Sequence, residues 1–394
     1  MTGGPGRLPP AILAGGGPIA VSVARSLAAS GVEVIALGHR VDAVRVSRHC
    51  HEFVDLGAHE GVQERWMGWL ATARPGILLP CSDDAIELVA RNRAAIEAAG
   101  HRAMEADDGV LLAMLDKHRT YELAREAGVP APRTALLQPG DDLGAKAGDI
   151  PFPLGLKPRH AHLWQRHFGL ADKVLVIEDF AALEREWARI EPLGLQLLLT
   201  EIIPGPDDAF HSYYSFVDEH GRPLVEVTKN KLRQYPPRFG LATYHRVDHC
   251  PEAIALGRRL YAAIGLRGMA CVEFKRDARD GQLKIIEVNH RFTLGHEIVR
   301  HAGVDYAMLA YDRLAGRETA PFTGYRSATM WHPVEDLQTM LRRRAEGTLT
   351  VREWARSLRC RQHFPLFAWD DPMPSLHSWV CKARSIPGRL GGLN

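Results

Sequence analysis

The sequence predicts an α/β protein whose first part is a layer of parallel strands and helices. An apolar run over residues 11–14 leads into three glycines at 15–17 and an apolar-periodic helix over 19–30. Gly31 ends that helix, and a second apolar run follows over 32–37. This alternation of strand and helix is typical of a parallel sheet. At 394 residues the chain is too long for one ordinary core, so two or three domains are expected.

A second strand, loop and helix repeat the pattern at residues 77–80, 81–84 and 85–99, with Gly100 after the helix and Ser82 or Asp83 as its cap. The later elements are predicted from apolar runs and their breakers. They are a helix over 116–127, strands over 152–157, 195–203, 213–217 and 223–229, a helix over 253–264 and a hairpin over 270–289. After Gly316 the pattern is irregular and rich in Trp, Arg and Pro, so its fold stays open.

The glycines at 15–17 match the dinucleotide-binding pattern G-x-G-x-x-G only loosely. The strand that follows ends at Leu37-Gly38-His39, with no Asp or Glu to hold a ribose hydroxyl. A tight turn, or a substrate-facing loop at a helix N-terminus, is therefore favoured over a nicotinamide dinucleotide site.

Composition excludes several classes of protein. The net charge is +2 and the Arg342–Arg344 cluster is short, which argues against a nucleic-acid partner. No run of about 18 apolar residues occurs, so no membrane span is expected, and residues 1–10 lack the apolar core of a signal peptide. Six scattered cysteines without a C-x-x-C pair favour reduced thiols and a cytoplasmic location. The His49-Cys50-His51 run is too compact for a zinc site.

The hairpin over 270–289 carries the strongest chemical signal. Side chains in a strand alternate between faces, so if Val272, Phe274, Ile286 and Val288 face the core, the polar residues fall on the opposite side. Those polar residues are Glu273, Glu287, Asn289 and Arg291. The alternative is an amphipathic hairpin with a solvated outer face. Two carboxylates on paired strands repel each other unless a cation lies between them, and carboxylate and amide oxygens suit Mg²⁺.

Two lysines upstream are candidates for phosphate contacts. Lys117 lies in the first turn of its helix, where a cation opposes the helix dipole. Lys157 ends an apolar strand and precedes Pro158, and a lysine on a buried strand needs an anion. Exposed or snorkelling lysines are the alternative interpretation at both positions.

Two further segments are consistent with a nucleotide site. The 197–208 segment changes from a buried strand to a sharp turn, where backbone groups suit an adenine edge and an Asp suits a ribose. Residues 228–240 hold four cations up to Arg238, with Pro236-Pro237 and Gly240. This second stretch is either a solvated loop or a mobile lid over a triphosphate.

In this order the features resemble the ATP-grasp superfamily over residues of about 10–315, and most closely its carboxylate–amine ligase branch, which includes D-aspartate ligase. The Glu287-x-Asn289-x-Arg291 signature with an upstream glutamate and two lysines carries the resemblance. So do 153–158, Trp164, 173–177 and 233–237. The resemblance implies a Rossmann-like domain over 1–114, a lid over 115–190, an antiparallel-sheet domain over 191–315 and a C-terminal appendage over 316–394.

The resemblance also implies roles for individual residues. Lys117 and Lys157 would contact ATP. Glu201 and the backbone near Ile203 would hold the adenine, and Asp208 would hold the ribose. Glu273, Glu287 and Asn289 would bind Mg²⁺, and Arg291 would steady an acyl phosphate. Residues 159–164 depart from the Gly-rich loop of many relatives, so Lys231 and Arg233 are expected to replace that phosphate contact. Lys157, Arg233 and Arg291 form the expected catalytic set.

The expected activity is ATP-dependent joining of a small carboxylate to an amine through an acyl phosphate, with ADP and phosphate released. A silent ATP-binding sensor and a small-molecule kinase are the alternatives. A homodimer is left open. The amine as acceptor rests on the resemblance alone.

Overall fold

The computed structural model describes residues 8–159, 174–237 and 239–385, and the side chains up to Cys381. Within these ranges the strands form three sheets, two of four strands and one of seven. The predicted loop from His160 to Trp164, and the match at Lys173, lie outside the described residues.

The first sheet is parallel, with strand order β3-β2-β1-β4. Its strands are β1 (Ala11–Ala14), β2 (Val34–Gly38), β3 (Glu52–Asp55) and β4 (Ile77–Pro80). Three helices connect or follow them, namely α1 (Gly17–Ala29), α2 (Val62–Leu70) and α3 (Asp83–Ala98). Strands β1, β2 and β4 are fully buried because helices cover both faces, as parallel sheets require.

The glycine loop between β1 and α1 is a tight turn packed against the loop after β4. Gly15 and Gly16 have φ of 78° and 131°, which side-chain-bearing residues rarely adopt. A Cβ on Gly15 would lie 2.5 Å from Oγ of Ser82. Ser82 also caps α3 by accepting the backbone N–H of Ala85 at 3.3 Å. The two loops therefore fix each other at the carboxyl edge of the sheet.

The second sheet is antiparallel, with order β5-β8-β6-β7. Its strands are β5 (Thr134–Leu137), β6 (Leu154–Pro158), β7 (Leu175–Ile177) and β8 (Leu197–Glu201). The neighbouring helices are α4 (Asp108–Leu115), α5 (Lys117–Glu126), α6 (Leu143–Ala147) and α7 (Phe180–Ile190). Since β8 pairs with β5 and β6, this sheet extends past residue 190, where the sequence placed a domain boundary. The remaining boundaries stay predictions.

The third sheet has seven strands in the order β13-β12-β9-β10-β11-β14-β15. They are β9 (Phe210–Val217), β10 (Pro223–Tyr235), β11 (Leu241–Asp248), β12 (Gly268–Arg276), β13 (Leu283–Asn289), β14 (Thr329–Trp331) and β15 (Gln362–His363). The later helices are α8 (Pro251–Ala263), α9 (His296–His301), α10 (Tyr306–Leu314), α11 (Pro333–Ala345), α12 (Val351–Ser357) and α13 (Met373–Ser385). Three short 3₁₀ turns complete the described elements: Ala43–Val46, Glu191–Leu193 and Asp207–Ala209.

The two faces of the large sheet pack against different partners. On one face Tyr213, Val272 and Phe274 join a core with residues of α8. On the other face Tyr214 and Phe216 join a core that includes α1 of the first layer. This second face therefore looks toward the N-terminal layer, and the functional cavity lies there.

Within residues 317–385, the described part of the C-terminal segment, the structure contains two strands and three helices. Strands β14 and β15 extend the large sheet beyond β11, and the buried carboxylate of Asp336 in α11 ties this segment to β10 and β11. Asp336 accepts hydrogen bonds from Arg233, Thr243, Trp331 and Trp354. Composition concealed these elements because each is short and depends on the sheet already in place.

Among the described residues, no helix has both the length and the apolar character needed to cross a membrane.

Candidate active site

A cavity of about 460 Å³ lies among α5, the second and third sheets and the N-terminal ends of α1 and α3 in the first layer. It is lined by seven of the residues predicted from the sequence. These are Lys117, Lys157, Lys231, Glu273, Glu287, Asn289 and Arg291. Residues more than 170 positions apart in the sequence are thus brought into one cavity.

The two glutamates face each other across the β12–β13 hairpin. Glu273 is paired directly with Glu287, and Cys271 with Asn289, in the antiparallel register. The side-chain amide of Asn289 donates to Oε1 of Glu287 at 3.2 Å, and Nζ of Lys231 lies 3.8 Å from Oε2 of Glu273. Cations and donors therefore surround a pair of carboxylates that would otherwise repel each other.

A register shift corrects one detail of the predicted hairpin. Phe274 pairs with Ile285, so Ile286 is the extra residue of a bulge. Ile285 packs in the core with Phe274, whereas Ile286, predicted to face the core, lines the cavity. The glutamates precede the shift on β12 and follow it on β13, so they keep the predicted face.

The donor set at the hairpin fits a hard divalent cation. Two carboxylates and one amide oxygen on adjacent strands are the ligand types that Mg²⁺ takes together with phosphate oxygens and water. Among the described residues no group of three or more His, Cys, Asp or Glu side chains could hold a metal ion. Because three protein ligands leave further positions of an octahedral Mg²⁺ open, this donor set suits a cation shared with phosphate oxygens and water.

Lys117 and Lys157 lie together on the side of the cavity formed by α5 and the second sheet. Lys157 is the penultimate residue of β6, and burial together with the nearby charge of Lys117 lowers its pKa to about 8, although Glu287 acts in the opposite direction. Lys117 begins α5, whose N-terminus is capped by Asp116 through the backbone N–H of His118 at 3.0 Å. Two neighbouring ammonium groups, one with a lowered pKa, would be stabilised by an anion between them.

Arg233 is a correction to the predicted catalytic set. By simple alternation it would share the cavity face with Lys229 and Lys231, but the β10–β11 register shifts on both sides of it. Its guanidinium instead donates to both oxygens of Asp336, at 2.7 and 2.8 Å, and it does not line the cavity. The same shift exposes Gln234 to the cavity. Arg233 is therefore buried in an ion pair with Asp336, outside the lining of the cavity where the other predicted cations lie.

The predicted lid over 228–240 is also corrected. Residues up to Tyr235 continue strand β10, and β11 begins at Leu241. The cationic composition suggested a loop, but the sheet accommodates these side chains. Lys231 stacks over the ring of Phe210 at 4.2 Å, and Arg233 over Tyr244 at 4.4 Å.

The predicted adenine and ribose residues lie outside the lining of the cavity. The carboxylate of Glu201 pairs with Arg279 at 2.5 Å and accepts the backbone N–H of Arg133. The carbonyl of Ile203 accepts Nζ of Lys275 at 2.8 Å. Asp208 is exposed, and its carbonyl accepts the amide of Asn230 at 2.7 Å. Their roles toward a nucleotide stay predictions.

Arg291 connects the hairpin to the first layer. Its Nε donates to Oδ1 of Asp83 at 2.5 Å, and a second contact to Oδ2 measures 3.2 Å. Asp83 begins α3, directly after the loop that packs on the glycine turn. The ion pair therefore places the β4–α3 loop, as well as the large sheet, at the cavity.

Six residues that line the cavity were given no individual role from the sequence, although Lys229 was counted among the four cations of residues 228–240. They are Tyr121, Tyr214, Lys229, Gln234, His245 and His332. Lys229 was detectable, since it lies two positions before Lys231 on the same strand. His332 was not, because nothing local indicates that the C-terminal segment reaches the site.

No family model matches the chain. It is 28% identical over 218 residues to a D-alanine–D-alanine ligase of Stutzerimonas stutzeri, covering 51% of this chain and 65% of that protein. It is 22% identical over 225 residues to a D-aspartate ligase of Enterococcus faecium, covering 55% of this chain and 53% of that protein. The chain thus spans less than two thirds of the length of these relatives.

Solved structures extend the likeness to most of the chain. An N5-carboxyaminoimidazole ribonucleotide synthetase in complex with ADP superposes with a TM-score of 0.62 and 13% identity, covering 82% of this chain and 80% of that one. At that identity the likeness concerns the fold, which is the ATP-grasp fold. The predicted fold class is confirmed: this chain has the ATP-grasp fold, and part of it is similar in sequence to D-alanine–D-alanine and D-aspartate ligases.

Proposed function

We propose that the chain is an ATP-dependent carboxylate–amine ligase that forms an amide bond and releases ADP and phosphate. One observation carries the proposal: the same cavity contains the Lys117–Lys157 pair, the Glu273–Glu287–Asn289 set and Arg291. Anion-binding lysines opposite cation-binding carboxylates are what phosphoryl transfer from Mg-ATP requires. The names of the sequence relatives support the choice of a ligase over a kinase.

The nucleotide would lie between the second sheet (β5-β8-β6-β7), called the lid sheet below, and the seven-stranded large sheet. Lys117 and Lys157 would bind its phosphates, and the negative charge would restore the full positive charge of Lys157. Glu273, Glu287 and Asn289 would hold Mg²⁺, which would neutralise phosphate charge at the reacting group. Lys231, whose ammonium lies over the Phe210 ring and 3.8 Å from Glu273, would contact the same phosphates.

The chemistry would proceed in two displacements. A carboxylate oxygen of the substrate attacks the γ-phosphorus, the bond to the ADP oxygen breaks, and ADP leaves with the electron pair. The amine nitrogen then attacks the carbonyl carbon, phosphate leaves, and the amine loses a proton. Arg291, paired with Asp83, would offset the charge on the acyl phosphate. Substrates of both steps would be small molecules, given the size of the cavity.

The test is ADP release across a panel of carboxylates and amines with Mg-ATP. Carboxylate-dependent ADP is expected, with hydroxylamine trapping an acyl hydroxamate when it replaces the amine. Glu287→Gln should lower the rate at least a hundredfold, because it removes a cation ligand. The matched control is Glu252→Gln, which removes a surface carboxylate paired with Arg276 and should leave the rate within twofold.

Two results would contradict the ligase. Phosphorylated substrate without amide under every amine tested would indicate a kinase. Tight ATP binding with no turnover would indicate a sensor. A cytoplasmic location and a homodimer remain proposals; the six cysteines are all free thiols in the structure, which is compatible with a reducing compartment.

A further inference from the structure

Exposed apolar residues are concentrated in the C-terminal segment. Of the fifteen large apolar residues that are exposed in the described part of the chain, ten lie after residue 316, in about one fifth of the sequence. Five of these ten lie in helix α13 and the turn before it, namely Trp369, Met373, Leu376, Trp379 and Val380. Trp369 is 90% exposed and Trp379 60%. Such a concentration of exposed apolar surface indicates an interaction site.

The apolar residues of α13 occupy one face of the helix. Met373, Leu376 and Val380 follow the i, i+3, i+7 spacing that places side chains on a common face. Pro374 and Ser375, on the other side of the helix, are buried. A helix at the surface of a globular protein ordinarily turns its apolar stripe toward the core. In α13 that stripe faces the solvent.

Contacts just before the helix fix this orientation. The carboxylate of Asp371, which is 2% exposed, accepts hydrogen bonds from Nε of Arg25 at 3.0 Å and from Oγ of Ser47 at 2.7 Å. It also accepts the backbone N–H of Arg48 at 3.1 Å. Helix α13 then packs against the 3₁₀ turn Ala43–Val46 of the first layer. Turning the apolar stripe inward would therefore require breaking a buried ion pair.

The charge around this apolar face is basic. The 78 residues after Gly316 contain twelve Lys and Arg against seven Asp and Glu, a net charge of +5, so the preceding part of the chain has a net charge of −3. Lys382 and Arg384 belong to α13 itself, and Arg45 is exposed on the turn against which the helix packs. Because Asp371 is buried in its ion pair, the exposed surface here is complementary to an anionic one.

Three properties favour a lipid surface over a protein as the partner. Tryptophan side chains favour the boundary between membrane and water. A helix with an apolar face and nearby Lys and Arg residues lies in the plane of that boundary, where anionic lipids attract its cations. A second copy of the chain seated on the same face would bring like charges opposite each other, which opposes association.

We propose that α13 and Trp369 form a docking surface for an anionic lipid membrane, with the helix lying in the plane of the membrane surface. Trp369, Leu376 and Trp379 would insert between the lipid headgroups, and the cations of the segment would contact the lipid phosphates. The inference goes beyond the proposed ligase function and does not depend on it.

The first test measures co-sedimentation of the full chain with lipid vesicles. Vesicles of phosphatidylglycerol and phosphatidylcholine should bind it at least tenfold more tightly than vesicles of phosphatidylcholine alone. Raising NaCl from 0.1 to 0.5 M should remove most of that difference, because salt screens the attraction. No binding to the anionic vesicles, or equal binding to both kinds, would overturn the proposal.

The second test removes the apolar face. Leu376→Gln/Trp379→Gln should weaken binding to the anionic vesicles at least tenfold and leave the melting temperature unchanged, because both residues are exposed in the free protein. The matched control is Leu337→Gln/Leu341→Gln, which removes two apolar side chains of similar exposure from α11. The control should bind vesicles as the wild type does. Equal weakening in both double variants, or unchanged binding in both, would refute α13 as the docking surface.

A third variant tests the charges while keeping the apolar face. Lys382→Gln/Arg384→Gln should weaken binding to anionic vesicles by about fivefold for each cation removed, and it decides the matter if Leu376→Gln/Trp379→Gln does not fold. Unchanged binding in this variant would count against the membrane.

Sedimentation velocity without lipid examines the other occupant of the surface. The wild type and Leu376→Gln/Trp379→Gln should have the same oligomeric state. A wild-type dimer that dissociates in this double variant would identify a second copy of the chain as the occupant and would overturn the lipid proposal. None of these measurements uses ADP release, so failure of the ligase proposal leaves them unaffected.

Discussion

Lys157 is the residue whose charge depends most directly on its surroundings in the cavity. It lies on the buried strand β6 near Lys117, and burial and the charge of Lys117 lower its pKa to about 8. The ordinary value is about 10.4. Keeping Lys157 charged therefore lowers the stability of the folded protein, and a bound anion would offset that loss. Local sequence indicated the lysine, but its pKa depends on Lys117, forty residues earlier.

We expect ADP affinity to depend on the charge of Lys157. Below pH 8 the ammonium is present in the free protein and affinity should be constant. Above pH 8 the free protein loses that proton, so affinity should fall by up to tenfold per pH unit. Titration calorimetry from pH 6.5 to 9.5 measures this. Lys157→Arg keeps its charge and should flatten the decline; an equal decline in both proteins would contradict the assignment.

The same pKa predicts the stability of the ligand-free protein. Since the folded pKa lies below the unfolded one, the unfolded chain binds more protons between pH 8 and 10.4, and stability rises with pH across that window. Lys157→Met should remove this rise and be more stable than wild type at pH 7 by about 1–3 kcal/mol. Urea unfolding at pH 7 and 10 tests both. If Lys157→Met is less stable than wild type at pH 7, the buried charge of Lys157 does not destabilise the ligand-free protein.

At the scale of elements, the glycine turn after β1 depends on two separate constraints. Gly15 has positive φ and no room for a Cβ against Ser82, whereas Gly31 has nearly the same φ, 77°, with nothing within 4 Å. Gly15→Ala should destabilise the protein by about 1–3 kcal/mol more than Gly31→Ala. Denaturant unfolding of both variants gives the difference. Equal losses of stability in the two variants would mean that the positive φ of Gly15, and not its contact with Ser82, accounts for the effect.

The Arg233–Asp336 pair joins the C-terminal segment to the large sheet. Asp336→Leu leaves a buried guanidinium without its partner and should cost about 3–5 kcal/mol. The double variant with Arg233→Met should recover most of that loss, because no unpaired charge remains. A double-mutant cycle in urea measures the coupling. A double variant no more stable than Asp336→Leu would show that the contact does not act as a pair.

Alternation of side chains along a strand predicts the face of a residue only where no register shift intervenes. In the β12–β13 hairpin the shift lies beyond Glu273, so the predicted face was right for Glu273, Glu287 and Asn289. In β10 the shift precedes Arg233, so alternation failed there and Gln234 took the cavity side. A bulge depends on the paired strand, and β10 alone contains no signal for it.

At the scale of the whole molecule, the cavity exists only where the three sheets meet. The first layer contributes Asp83, the lid sheet Lys157, the large sheet Glu273 and Glu287, and the C-terminal segment His332. Nucleotide binding should therefore stabilise the whole assembly, since it connects these parts.

We expect the stabilisation by ADP to depend on Mg²⁺. At a hundred times its dissociation constant a ligand adds about 2.7 kcal/mol, seen as a rise in melting temperature. With EDTA, or in Glu273→Gln/Glu287→Gln, most of that rise should disappear. The ligand-free double variant should be at least as stable as wild type, because the repulsion between the carboxylates is gone. A full rise without Mg²⁺ would exclude the hairpin as its site.

The sequence by itself determined the α/β opening, most strands and helices, and the face of Glu273, Glu287 and Asn289, because periodicity and turn residues act locally. It could also indicate Lys117 and Lys157, since a cation at a helix start or on an apolar strand conflicts with local rules. Tertiary structure alone decided the ion pairs of Arg233 and Arg291, the strand that replaced a lid, and the reach of His332 into the cavity. Those depend on pairing between segments up to hundreds of residues apart, which no local pattern encodes.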